Sequence, residues 1–253
     1  MKRLTFFIYG VTAHLIFLAV YAWLAAFVGN LLVEHTVDAP ATGPVALSLA
    51  IDLGLIVLFG LQHSIMARPG FKQVWTRIVP QPIERSTYVM VSSVLMVGLF
   101  LLWEPIGGVV WRVPEGTAMI AVLALYVLGW ALLFYSTFLI DHFDLFGLTQ
   151  VWRRLRGEAY RPPQFHTPSL YKLVRHPLYV GWLMVFWCAA HMTAAHLVFA
   201  IATTAYIFTA IQLEEQDRMR IHKEYAQYRR DVPMILPAPA PRKIEKPRLQ
   251  QAG

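Results

Sequence analysis

Apolar runs long enough to cross the hydrocarbon core of a bilayer recur along this chain, separated by short polar breaks. They extend from about Leu4 to Val28, Val45 to Met66, Tyr88 to Trp103 and Thr117 to Ile140. A fifth block, Leu178 to Leu213, is too long for one crossing and is interrupted near its middle by the polar step His191-Met-Thr-Ala-Ala-His196. The pattern predicts an all-α integral membrane protein: four transmembrane helices followed by a C-terminal membrane helical hairpin, five to six spans in all. The lower number corresponds to a hairpin arm that is re-entrant. Composition agrees, since 57% of the 253 residues are hydrophobic and 15% charged. A soluble domain is nearer half apolar and a quarter charged. The first run is too long for a signal-peptide core and lacks an Ala-x-Ala-like exit, so a membrane helix is expected there.

The charge adds orientation. The net charge of +7 would suggest nucleic acid in a soluble chain, but its distribution follows the spans, and no nucleic-acid partner is expected. With alternating spans, one side collects two basic residues before the first run, four within 67–87, six within 141–177 and nine after Leu213. Arg112 alone remains opposite, beside Glu34, Asp38, Glu104 and Glu115. The positive-inside rule then places both termini in the cytoplasm. Residues 1–237 read as one membrane domain, and 238–253 as a disordered basic tail near anionic lipid. The single cysteine, Cys188, excludes an intrachain disulfide and a CxxC site.

Ionisable groups gather at the basic ends of the spans, where they are costly unless paired or facing a wet cavity. Gln62-His63-Ser64 closes the second span and Asp141-His142-Phe143-Asp144 the fourth. Arg175-His176-Pro177 opens the hairpin and Glu214-Glu215 closes it. Their common depth predicts a cytoplasm-facing active site. Pro177 suits the first turn of a helix, whose free N–H groups favour a carboxylate. Tyr179 and Trp182 are placed to cover a ring, and Gly181 to allow close approach. Asp52 and His14, deeper in their spans, are expected to hydrogen-bond between helices. No ligand spacing calls for a metal.

The set Arg175-His176-Pro177-x-Tyr179-x-Gly181, then Glu214-Glu215, then Tyr225-x-x-Tyr228-x-x-x-Val232-Pro233 resembles the membrane superfamily of isoprenylcysteine carboxyl methyltransferase and its bacterial relatives. The stretches "LFGLQHSIMARPGFK" (58–72), "ERSTYV" (84–89) and "IDHFDLFGLTQVW" (140–152) are similar to the bacterial methanethiol S-methyltransferases. The resemblance implies an S-adenosylmethionine-dependent thiol methyltransferase of the bacterial inner membrane, its donor held by residues of about 170–237. Those are Leu173, Val174, Arg175, His176, Pro177, Tyr179, Gly181, Glu214, Glu215, Tyr225 and Tyr228. A small thiol reacts as thiolate, so a base is needed. His142, oriented by Asp141 or Asp144, is the expected base, with His63 as alternative. Phe143, Phe146 and Trp152 are expected to form an apolar acceptor pocket. A different methyl acceptor, a sterol-reductase-like nicotinamide enzyme and a non-enzymatic membrane sensor are the competing readings.

Overall fold

The computed structural model describes residues 1–237; the tail 238–253, read above as disordered, lies outside the described residues. The chain forms α1 (Lys2–Gly29), α2 (Val45–Ala67), α3 (Pro69–Trp75), α4 (Glu84–Leu102), β1 (Val109–Arg112) and α5 (Thr117–Leu139). It continues through α6 (His142–Leu145), α7 (Leu148–Arg156), α8 (Pro177–Trp187), β2 (His191–Thr193), α9 (Ala194–Ile221) and α10 (Tyr225–Asp231). Among the described residues five helices are long and apolar enough to cross a membrane: α1, α2, α4 with the turn before it, α5 and α9. Large apolar side chains such as Val57, Leu61, Leu128 and Phe138 point outward, as the lipid-facing surface of an integral membrane protein requires. The interior is filled by Phe27, Leu99, Phe100, Trp103 and Phe199.

The hairpin is present, with an unequal first arm. Helix α8 has only 11 residues, about 16 Å at helical rise, half a crossing. The chain completes the distance in extended form through β2, which pairs antiparallel with β1 in the loop between α4 and α5. The polar step His191–His196 is therefore a strand followed by a helix start, with the Thr193 hydroxyl accepting from the His196 N–H at 3.2 Å. Extended backbone is tolerated there because it is paired: Val113 N donates to Ala190 O at 2.8 Å and Trp111 Nε1 to Ala189 O at 3.0 Å.

Asp38 fastens the same end of the bundle. Its carboxylate accepts from Thr193 N and Oγ1 at 2.9 and 2.6 Å and from His196 Nδ1 at 2.7 Å. Burial alone would raise the Asp38 pKa, but the contacts with His196, Asn30 and Thr193 outweigh it and hold the carboxyl below its ordinary range. Asp52 accepts from Glu104 N at 2.8 Å, so its bond runs from α2 to the loop just past the end of α4 rather than to another helix as expected, and its second oxygen is buried without a partner. His14 does not conform: its Nδ1 is buried without a partner, and the ring meets His142 edge-on at 5.4 Å.

Helices α5 and α8 touch backbone to backbone. A Cβ on Gly181 would lie 2.9 Å from Gly129 O and 3.0 Å from Leu133 N, neither of which can move aside. Gly181 thus admits a helix, where the sequence reading had it admitting a ligand. Gly181→Ala is expected to lower stability by about 1–3 kcal/mol through overpacking; a thermal melt in detergent matching the parent protein would contradict this contact.

Candidate active site

At the basic end of the bundle, Arg175 leaves the loop before α8 and enters protein rather than solvent. Its Nε donates to Glu215 Oε1 at 2.7 Å, and Nη1 donates to the carbonyls of Arg229 at 2.9 Å and Val232 at 2.5 Å. His176 Nε2 shares the same Glu215 oxygen at 3.0 Å. Arg229 Nε lies 3.0 Å from the other carboxylate oxygen, as an ion pair without hydrogen-bond alignment. Two backbone bonds complete the joint, Arg175 N to Pro233 O at 2.8 Å and His176 N to Met234 O at 3.1 Å. The Arg-His-Pro, Glu-Glu and Val-Pro motifs, distant in sequence, therefore meet around one carboxylate that is 1% exposed. Both carboxylate oxygens are thus paired, one by hydrogen bonds and one by an ion pair, and removing the group would strand its partners.

Glu214, next on α9, points the other way. It faces a cavity of about 380 Å³ that opens at this end and runs between the helices. Tyr179 Oη donates to Glu214 Oε2 at 3.4 Å, and Arg218 pairs with Oε1 at 2.9 Å. Aromatic rings frame the mouth: Phe165 packs on Tyr225 at 5.7 Å and Tyr228 at 5.6 Å, and Tyr228 Oη donates to Tyr171 O at 2.6 Å. Burial raises the Tyr171 and Tyr228 phenols, and pushes Tyr225 up to about 12, so all three stay protonated. Of the residues expected to hold a donor, Arg175, His176, Tyr179, Glu214, Tyr225 and Tyr228 line this cavity. Leu173, Val174, Pro177, Gly181 and Glu215 are not part of its wall; Glu215 and Gly181 support it from behind. Trp182 lines a deeper part, stacked on Phe186 at 5.2 Å.

Further in, α2 and α4 contribute a polar collar. His63 Nε2 lies 2.8 Å from Tyr88 Oη, and Nδ1 lies 3.3 Å from Ser92 Oγ. Ser92 donates to Gln62 Oε1 at 3.2 Å, so its oxygen is free to accept from His63 Nδ1–H. That assignment leaves the lone pair on Nε2, facing the Tyr88 hydroxyl. Phe59 stacks on the imidazole at 5.2 Å. Tyr206 from α9 reaches the same level and meets Ser64 Oγ at 3.2 Å. His63, Tyr88, Ser92 and Tyr206 all line the cavity. Tyr88 and Tyr206 escaped the sequence reading, although Tyr88 sits in the "ERSTYV" stretch; only helix packing brings it to His63.

The Asp-His-x-Asp cluster lies elsewhere. His142 does not line the main cavity; Thr137 and Phe146 stand between, lining both it and a small gap beside His142. Its Nδ1 bonds Thr137 Oγ1 at 2.8 Å, and its ring stacks on Phe138 at 4.4 Å. Burial, then the nearby His14, lowers its pKa. Asp141 adopts positive φ and caps α6, accepting from Asp144 N at 3.0 Å. Asp144 accepts from Gln150 Nε2 at 3.2 Å, and burial raises its pKa. The expected acceptor pocket is likewise revised: Phe146 lines the cavity, whereas Phe143 and Trp152 are exposed at the surface. Trp152 packs on Phe7 at 5.7 Å, as an interfacial anchor.

No protein-family model matches the chain, and no solved structure matches it. Among curated proteins it is 47% identical over 238 residues to a methanethiol S-methyltransferase of Crocosphaera subtropica, covering 94% of this chain and 93% of that one. It is 44% identical over 240 residues to the methanethiol S-methyltransferase of Mycobacterium tuberculosis, covering 94% and 98%. Human Nurim is 32% identical over 204 residues, covering 77% and 72%. With motifs, spans and near full-length identity in agreement, the chain belongs to the methanethiol S-methyltransferase family of membrane proteins.

Proposed function

We propose that this protein transfers a methyl group from S-adenosylmethionine to methanethiol, releasing dimethyl sulfide and S-adenosylhomocysteine. One observation carries the reading beyond family membership. A single cavity joins an aromatic, carboxylate-bearing mouth to a histidine collar inside the bundle. Glu214 suits ribose hydroxyls or an ammonium, and the rings of Phe165, Tyr225 and Tyr228 suit an adenine face. Arg175 and His176, held by Glu215, keep the mouth in shape. The donor supplies an activated methyl on sulfonium; the protein aligns the two sulfur centres for in-line displacement and takes the thiol proton.

His63 is the proposed base, with Nε2 receiving the proton directly or through Tyr88 Oη. His142, Asp141 and Asp144 support the wall. Residues 1–237 act as one domain, with the donor held by about 170–237. The test is purified protein with S-adenosylmethionine and methanethiol, and headspace detection of dimethyl sulfide. Absence of dimethyl sulfide while S-adenosylhomocysteine binds would overturn the acceptor assignment.

The charge asymmetry supports insertion in the bacterial inner membrane with both termini and the cavity mouth on the cytoplasmic side. On that orientation, in a Cys188→Ser background, a cysteine placed at Thr42 is expected to react with an impermeant reagent in intact cells and one at Lys2 to be protected. The reverse pattern would invert the topology.

A further inference from the structure

The cavity does not end at the collar. On α2 the lining continues from His63 to Ile56, on α4 from Ser92 to Leu99, and on α9 from Tyr206 to Phe199. Each is two helical turns, roughly 10 Å. Three helices thus agree on the depth. Past the collar the wall is apolar except for Thr203, whose hydroxyl is turned back onto its own helix and donates to Phe199 O at 2.6 Å, with Leu24 and Met96 completing it. It is closed from behind by Trp103, whose ring meets Phe199 at 5.5 Å and Phe27 at 6.0 Å. Methanethiol has one carbon and ends where its sulfur meets the base. An apolar tunnel of this depth beyond the reacting atom has no role in holding it.

We propose that the tunnel receives the alkyl tail of longer straight-chain alkanethiols, so that the protein S-methylates them as well, giving methyl alkyl sulfides. This rests on the placement of His63 beside the acceptor sulfur. The chemistry is unchanged by the tail. The thiol S–H proton passes to His63, the thiolate sulfur forms a bond to the donor methyl carbon, and the methyl–sulfonium C–S bond breaks with its electron pair going to S-adenosylhomocysteine. No oxidant or further reactant is needed. A charged tail would be rejected, because the wall past the collar offers no counter-charge.

The test measures methyl transfer by the purified full chain to methane-, propane-, butane- and hexanethiol at fixed S-adenosylmethionine. Each added methylene buried in the tunnel should raise kcat/KM about fourfold until the tail meets the floor. Leu99→Trp, which shortens the tunnel, should move the optimum to shorter thiols and cut the hexanethiol-to-methanethiol ratio at least tenfold. Phe199→Ala, which deepens it, should move the optimum to longer ones and decides the matter if Leu99→Trp does not fold. Turnover of methanethiol with none of butanethiol, or a length profile identical in the parent and Phe199→Ala proteins, would overturn the proposal. Turnover of hexanethiol with none of methanethiol would instead sustain it and sink the acceptor assignment above.

Discussion

Glu215→Ala is expected to lower stability by about 3–5 kcal/mol and to abolish measurable S-adenosylhomocysteine binding. The side chain is 1% exposed and is the common partner of Arg175, His176 and Arg229. Its removal leaves the buried Arg175 guanidinium with only the carbonyls of Arg229 and Val232 as partners. The same residues tie the loop before α8 to the segment after α10, which carries Tyr225 and Tyr228 into the cavity mouth, so stability and ligand binding fall together. Glu214→Ala should separate the two. Glu214 faces the cavity, and its partner Arg218 is 41% exposed at the mouth, where a lone charge is solvated. That variant should bind S-adenosylhomocysteine more weakly and melt near the parent temperature. Thermal melting in detergent with and without the ligand reads both quantities. A Glu215→Ala protein that melts like the parent would remove Glu215 as the anchor of this end.

For His63→Ala a fall in kcat of about 100-fold or more is expected, as for loss of a general base, with S-adenosylhomocysteine affinity near normal. Raising the pH should partly restore the rate, because a free alkanethiol ionises increasingly as pH approaches its pKa and then needs no base. His142→Ala is the internal comparison. Its ring bonds Thr137 and is separated from the cavity by Thr137 and Phe146, so it should lose stability through an unfilled space while keeping kcat within a few-fold of the parent in the folded fraction. Tyr88→Phe distinguishes the two proton routes, since a large loss of kcat there would make the phenol the link between thiol and imidazole. Near-parental kcat in His63→Ala at neutral pH, with a collapse in His142→Ala, would return the base to the Asp-His-x-Asp cluster.

Much of this protein is legible in its sequence, for reasons that are local. A bilayer demands runs of apolar residues, so α1, α2, α4, α5 and α9 appear directly in the hydropathy, and the polar step at His191–His196 marks the hairpin turn. Pro177 announces the start of α8 because a ring without an N–H is tolerated only there. The motifs Arg-His-Pro and Glu-Glu carry the family. What tertiary structure decided is direction. Apolarity does not say how much of a crossing is helical, and α8 stops after 11 residues because β1 is available to pair the extended remainder. Asp141 and His142 looked equipped for proton transfer, yet the positive φ at Asp141 turns the chain so that His142 packs against α1. His63 carries no such cluster in sequence and is completed by α4. Glu214 and Glu215 are the sharpest case. Adjacent residues on a helix point about 100° apart, so one must face the cavity and the other the packing of α8 and α10. Nothing in the dipeptide assigns which, because only the rotation of α9 against its neighbours does.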